Sequence, residues 1–290
     1  MGNADINVPP VALTIAGFDP SGGAGVVADI KTFTAFDCFA VAAVTSLTFQ
    51  NTMGVFGAAH QTCKTVRAQV LPLIEDFSIA CAKTGMLPTR EVIREVALLF
   101  RETSLPAPVV DPVVRSTSGY DLIDDEALRA LVSELLPLAR VVTPNIPEAE
   151  RITGLRIEDE EGMRRAACAM REMGARAVLV KGGHLKERAE RRAQTDKRGP
   201  DTGRAQTALD LLDAEEGVTL YHGEWIETTS THGTGCTLSA AIAACLGRGL
   251  SLEESVAAAK RFVTNAIRQA PGLGHGHGPV NAVTGKNRDG

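Results

Sequence analysis

Apolar residues along this chain follow two rhythms: short unbroken runs, and longer stretches in which they recur at helical spacing. Residues 11–16 form an apolar run that stops at Gly17 and the turn-forming string Asp19-Pro20-Ser21-Gly22-Gly23. The stretch 24–36 then carries Val27, Ile30 and Phe33 at a three-residue interval, which predicts a helix. The same reading predicts further strands over 40–49, 79–83, 108–110, 141–143 and 177–181. Helices are predicted over 63–74, 89–102, 124–136 with Asp124 as cap, 159–173, 236–246 and 252–270. Two more short runs, 207–212 and 218–221, read as an edge hairpin. Strands that alternate with helices imply an α/β domain: a mostly parallel sheet with helices on both faces.

Ligands of such sheets bind beyond the carboxyl ends of the strands. Polar, glycine-rich segments lie at several of those ends: 17–25, 111–119, 143–148, 181–184 and 231–237. One segment breaks the alternation. Residues 186–204 are polar, with charges of both signs, and read as a solvated insertion. The expected organisation is one domain over 11–280, with short tails at 1–10 and 281–290.

Bulk properties narrow the function classes. A formal net charge of −5 argues against nucleic acid as the main partner. No apolar run reaches the roughly 18 residues of a membrane span. The opening MGNADINVPP lacks the basic-then-apolar order of a signal peptide. The six cysteines form no Cys-x-x-Cys pair and mostly sit among apolar residues, so a reducing cytoplasm is the expected location.

Chemistry concentrates in a few motifs. Thr231-His232-Gly233-Thr234-Gly235-Cys236-Thr237 precedes an alanine-rich helix. The free amides of a helix start bind anions, and glycines let a ligand approach the backbone. A cysteine there is expected to have a depressed pKa and to serve as a thiolate base. The alternative is a glycine-rich cap with an inert cysteine. The segment is not a Walker A loop, because no Lys-Ser/Thr pair follows the glycines. Asn145-x-x-Glu148 reads either as a magnesium-binding carboxylate or as a capping box; Asp111 reads as a second ligand or a turn-starting residue. Lys181 could reach a nucleotide phosphate or simply flank a turn. Asp29 and Gln50 could hydrogen-bond a heterocycle, although a carboxylate near a helix start also suits the helix dipole. His232, His275 and His277 lie in glycine-rich loops and suggest no zinc site.

Taken together, these residues resemble the hydroxymethylpyrimidine/phosphomethylpyrimidine kinases of thiamine biosynthesis, in the ribokinase-like superfamily. The resemblance is carried by Leu13-Thr-Ile-Ala-Gly17, Asp19-Pro-Ser-Gly-Gly-Ala-Gly25, Ala28-Asp-Ile-Lys-Thr-Phe33, Gln50-Asn-Thr52 and Lys83-Thr-Gly-Met86. It continues through Asp111-Pro-Val113, Thr143-Pro-Asn-Ile-Pro-Glu148, Lys181-Gly-Gly-His-Leu185, His232-Gly-Thr-Gly-Cys-Thr-Leu-Ser239 and Gly274-His-Gly-His-Gly-Pro279. It implies a ribokinase-like three-layer sandwich with a small lid, usually dimeric, using ATP and Mg²⁺. By position, Cys236 stands where other superfamily members have a catalytic aspartate. Gly233, Thr234, Gly235 and Cys236 would form the anion hole. Glu148, and Asp111 through water, would hold magnesium, with Lys181 and Thr231 near the nucleotide. Gly17, Ala24, Asp29, Gln50, Met86 and Val113 would line the pyrimidine pocket.

The expected activity is phosphorylation of the hydroxymethylpyrimidine and then of its monophosphate. A pyridoxal kinase and a non-catalytic pyrimidine-binding protein are the alternatives. Phe18 and the stretch 114–117 depart from the family pattern, and Arg115 offers either a phosphate contact or a solvent-facing charge. No fused thiamine-phosphate synthase domain is expected.

Overall fold

A computed structural model describes residues 8–115, 121–183 and 207–283. The expected insertion 186–204, the positions Ser116 and Thr117, and His184 lie outside the described residues. The sheet has nine strands: β1 (Val11–Phe18), β2 (Phe39–Asn51), β3 (Gly54–His60), β4 (Ile79–Thr84), β5 (Val109–Val110), β6 (Val141–Val142), β7 (Val178–Lys181), β8 (Thr207–Ala214) and β9 (Gly217–Glu224). Eight helices connect them among the described residues: α1 (Gly25–Ala35), α2 (Cys63–Asp76), α3 (Arg90–Glu102), α4 (Asp125–Ala130), α5 (Ile146–Thr153), α6 (Glu160–Glu172), α7 (Thr234–Gly247) and α8 (Leu252–Arg268).

Strand order is β3-β2-β1-β4-β5-β6-β7-β8-β9. The six strands from β2 to β7 are mutually parallel, and antiparallel partners close both edges. Alternating side chains of the central strands feed two cores. Leu13 and Ile15 of β1 pack with α2, α3 and α6, whereas Ala12 lies on the face covered by α1, α7 and α8. This is the three-layer arrangement expected from the strand and helix alternation.

Local signals account for the helix ends. Asp124 accepts from the Ala127 amide at 2.8 Å, as a cap should. The stretch predicted as one helix over 124–136 is instead α4 followed by a π turn and a 3-10 turn that ends at Leu138. Pro137 has no amide to donate and breaks the ladder there. Strand β3 has no counterpart in the sequence reading, because Gly-Val-Phe-Gly-Ala-Ala-His lacks two-residue alternation and most of it is only partly buried. Helix α7 is buried all round from Thr237 to Cys245, and its alanines bring it close to the sheet.

The edge after β7 is equally tight. A Cβ added at Gly182 would lie 2.0 Å from the backbone oxygen of Leu209, which cannot step aside without opening the β7–β8 ladder. Gly182→Ala should therefore cost about 2 kcal/mol or more and lower the melting temperature by several degrees. A thermal melt that matches wild type would contradict this contact.

Candidate active site

The sheet reverses its order between β1 and β4, so the chain leaves their carboxyl ends in opposite directions. The β1–β2 register shifts between Ala16 and Gly17 at this place. Gly17 faces Met86 at the end of β4, and a Cβ on Gly17 would sit 3.1 Å from the Met86 sulfur. The Met86 carbonyl in turn accepts from Thr45 at 2.6 Å.

Asp19 organises the turn after β1. Its carboxylate accepts from the Ser21 amide and hydroxyl and from the amides of Gly23 and Ala24, at 2.7–3.2 Å. Ala24 caps α1 with a methyl group that can accept no hydrogen bond, and Asp19 instead takes up the amides of Gly23 and Ala24 just ahead of the helix. His232 Nε2 lies 2.8 Å from Asp19 Oδ2. Burial works to raise the Asp19 carboxyl, but hydrogen bonds from His232, Ser21 and Gln50 outweigh it and hold the group well below the usual range. Gln50 thus sits beside this turn, half-buried at the end of β2.

The loop before α7 closes on the same turn. Gly233 has φ 79°, and a Cβ there would lie 1.7 Å from the Gly23 oxygen. Pro279 bridges to His232, the His232 amide donates to Gly278, and the preceding His275 and His277 amides donate to Thr52 beyond β2. These contacts seat Thr231 and the Gly233–Cys236 loop against the Gly17–Ala24 side of the crevice. Within that loop the Thr234 amide already donates to the Thr231 carbonyl, and the Thr237 amide starts the helix ladder on Gly233. Gly235 and Cys236 lie between them, at the first-turn positions whose amides have no carbonyl of the helix to meet.

Charged side chains gather beneath this turn. Lys83 Nζ lies 2.9 and 3.0 Å from the two oxygens of Asp29, and the Thr14 hydroxyl donates to Asp29 at 2.6 Å. Both partners are fully buried. Burial disfavours both charges and raises the Asp29 carboxyl; the contact with Asp29 nonetheless holds the Lys83 ammonium above its ordinary value. Asp29 was expected to grip a ring; its oxygens are instead committed to Thr14 and Lys83, because the α1 face that carries it packs against β1. Lys181 Nζ lies 3.2 Å from Asp111 Oδ1, and a Cβ on Gly235 would sit 3.1 Å from the same ammonium. Val113 follows, its amide donating to the Asp111 carbonyl.

Glu148 realises the capping box: it accepts from the Asn145 amide at 2.8 Å and donates its own amide to Asn145 at 2.9 Å. It is also 4% exposed, and burial pushes its carboxyl up to about 7 against the pull of Lys181, with Asp111 adding repulsion. Two buried carboxylates thus share one nearby ammonium. No group of three or more ligating side chains occurs among the described residues. The oxygen donors present, the carboxylates of Asp111 and Glu148, are of the kind that a hydrated divalent ion such as Mg²⁺ takes.

Cys236 corrects a second expectation. Its sulfur accepts from the Gly25 amide and feels the charges of Lys83, Asp111 and Asp29. Burial pushes the thiol up to about 12; Lys83 opposes this and the two carboxylates add to it. The helix start alone suggested a depressed value, but desolvation wins. Arg115 is exposed and donates to Asp121 at 2.8 Å, the solvent-facing alternative. Lys83 was given no role in the sequence reading, and its signal was a lysine closing an apolar strand.

The comparisons fit this geometry. The phosphomethylpyrimidine kinase family model matches residues 19–281. The hydroxymethylpyrimidine/phosphomethylpyrimidine kinase of Streptomyces coelicolor is 40% identical over 273 residues, 94% of each chain. The thiamine biosynthesis bifunctional protein ThiED of Geobacter sulfurreducens is 42% identical over 271 residues, 93% of this chain but 52% of that protein, so the chain spans about half its length. A phosphomethylpyrimidine kinase structure from Clostridium difficile superposes with a TM-score of 0.73 at 36% identity, covering 89% of this chain and 99% of that one. The pyridoxal kinase of Staphylococcus aureus, in complex with AMP-PCP and pyridoxal, gives 0.82 at 29% identity, covering 97% and 96%. With the family match running from the Asp19 turn to beyond Pro279, the chain belongs to the phosphomethylpyrimidine kinase family.

Proposed function

We propose that this chain transfers the γ-phosphoryl group of ATP to 4-amino-5-hydroxymethyl-2-methylpyrimidine, and then phosphorylates the monophosphate to the diphosphate. The observation that carries the reading is the meeting of the α7 start with the Asp19 turn over a floor of buried charge. In this family, that is where a phosphate and an alcohol would face each other. The amides of Gly235 and Cys236 stabilise the equatorial oxygens of the transferring group, and Lys181 adds a point charge beside them. Thr231 and Lys181 flank the nucleotide. Gly17, Ala24, Met86 and Val113 shape the pyrimidine pocket, and Gln50 reads the aminopyrimidine edge with its donor and acceptor. Asp111 and Glu148 are the residues that would hold Mg²⁺, which when bound neutralises charge on the phosphates.

Cys236 orients the substrate hydroxyl and, as thiolate, accepts its proton. The likeness to a pyridoxal kinase structure supports pyridoxal as a second substrate, since its hydroxymethyl group is also borne on an aromatic ring. The six unpaired cysteines suit a reducing cytoplasm. No helix among the described residues is long and apolar enough to cross a membrane. A homodimer is also part of the reading. Phe49, Met53 and Phe56 are exposed on the β2–β3 edge, at 55%, 61% and 70%, and such apolar groups suit a second copy.

Incubation with ATP, Mg²⁺ and a panel of alcohols, followed by mass spectrometry of the products, should yield the aminopyrimidine mono- and diphosphates; phosphorylation of none of them would refute the assignment. Cys236→Ala should fold and bind ATP yet lose turnover by about 10²-fold or more. Because the thiol sits at about 12, the thiolate fraction grows as pH rises, so kcat should climb by up to about tenfold per unit between pH 6 and 9. Cys236→Asp replaces the thiol with a far stronger acid and should move the climb in kcat to lower pH. Phe56→Lys should shift the protein toward monomer in light scattering; an unchanged mass would place any dimer contact elsewhere.

A further inference from the structure

At the carboxyl end of β7, a lysine passes over the carboxylate that stands directly opposite it. Lys181 and Asp210 are partners in the β7–β8 register. Side chains so placed share one face of the sheet with Cβ atoms about 5 Å apart, where opposite charges attract. Lys181 instead reaches the other way: its Nζ lies 3.2 Å from Asp111 Oδ1, and a Cβ on Gly235 would sit 3.1 Å from it. Asp210 takes a different cation. Its Oδ2 accepts from Lys260 Nζ at 2.5 Å, and its Oδ1 accepts from the Gly182 amide at 3.0 Å.

Lys260 comes from α8, which packs against β9. Its stem passes β9 at Gly223, where an added Cβ would lie 2.7 Å from Lys260 Cε, and its ammonium also donates to the Ala208 carbonyl at 3.2 Å. Asp210 is only 9% exposed, on a strand face whose next members, Leu212 and Ala214, belong to the core. A carboxylate placed there needs a counter-charge from the protein, because water cannot supply it. With Lys260 removed, the cation directly across the ladder is Lys181, on a stem flexible enough to turn. An ammonium drawn to Asp210 would leave the crevice.

We propose that Lys260 is a positioning residue for Lys181: by neutralising Asp210, it leaves the Lys181 ammonium beside Asp111 and Gly235, where it meets the nucleotide phosphates. The proposal rests on the reading of Lys181 as a nucleotide contact, and the choice of variants separates the two.

Binding of AMP-PCP to the full chain is measured by isothermal titration calorimetry, with a thermal melt of each variant alongside. Lys260→Met should weaken binding by about tenfold, as the loss of one charge-assisted contact would. Lys260→Arg keeps the charge and should restore most of that loss. The discriminating variant is Lys260→Met/Asp210→Asn. Its amide oxygen still accepts from Gly182, but no carboxylate competes for Lys181, so affinity should return to within about twofold of wild type. A pair that merely fastens α8 to β8 would lower the melting temperature and give no such recovery. Wild-type affinity in Lys260→Met, or a double variant as weak as the single one, overturns the proposal. In steady-state assays, Lys260→Met should raise KM for ATP and leave KM for the aminopyrimidine unchanged; an equal rise in both also overturns it. If Lys260→Met does not fold, Lys260→Gln, which keeps a donor without the charge, takes its place with the same outcomes. Wild-type affinity in Lys181→Met would remove the reading of Lys181 and the proposal with it. A loss in Lys181→Met without one in Lys260→Met overturns the proposal alone.

Discussion

The reversal of strand order between β1 and β4 is the constraint on which everything else at the site depends. In a parallel sheet the chain must return over a face after each strand. Where successive returns run in opposite directions, the carboxyl ends stand open. Gly17 near the end of β1, Lys83 near the end of β4 and Met86 just past it lie at that opening, and α1 and α7 begin beside it. The glycines follow from the same crowding: Gly233 has no room for a Cβ against Gly23.

Electrostatics then sorts the charged side chains. Lys83, fully buried, and Lys181, partly buried, each have a carboxylate within 3.2 Å. Glu148 is the group left without a full counter-charge, and burial raises its carboxyl accordingly. The crevice is thus built with paired ions and one carboxyl raised by burial, rather than as an open basic patch. The negative overall charge of the chain fits this arrangement, since the cations that matter are interior ones.

Much of the architecture was legible from sequence because the central strands are short apolar runs and the helices carry strong caps. Asp124, Asp159 and Ser251 all accept from the amide three residues on. Strand β3 was not legible, since its identity comes from pairing with β2 and not from its own pattern. At the site, Lys181, Asp111 and Gly235, each from a different motif, converge. What the motifs could not give was the partner of each charge. Asp29 and Lys83 are 54 positions apart, and no local rule joins them. Nor could spacing reveal that burial outweighs the helix start at Cys236.

The link between Asp19 and His232 spans 213 positions, close to the whole length of the folded chain. Contacts of such sequence separation form late, after the intervening layers have collapsed. Neither loop meets the other until both have been made, so the crevice between them takes shape only once synthesis has passed Pro279.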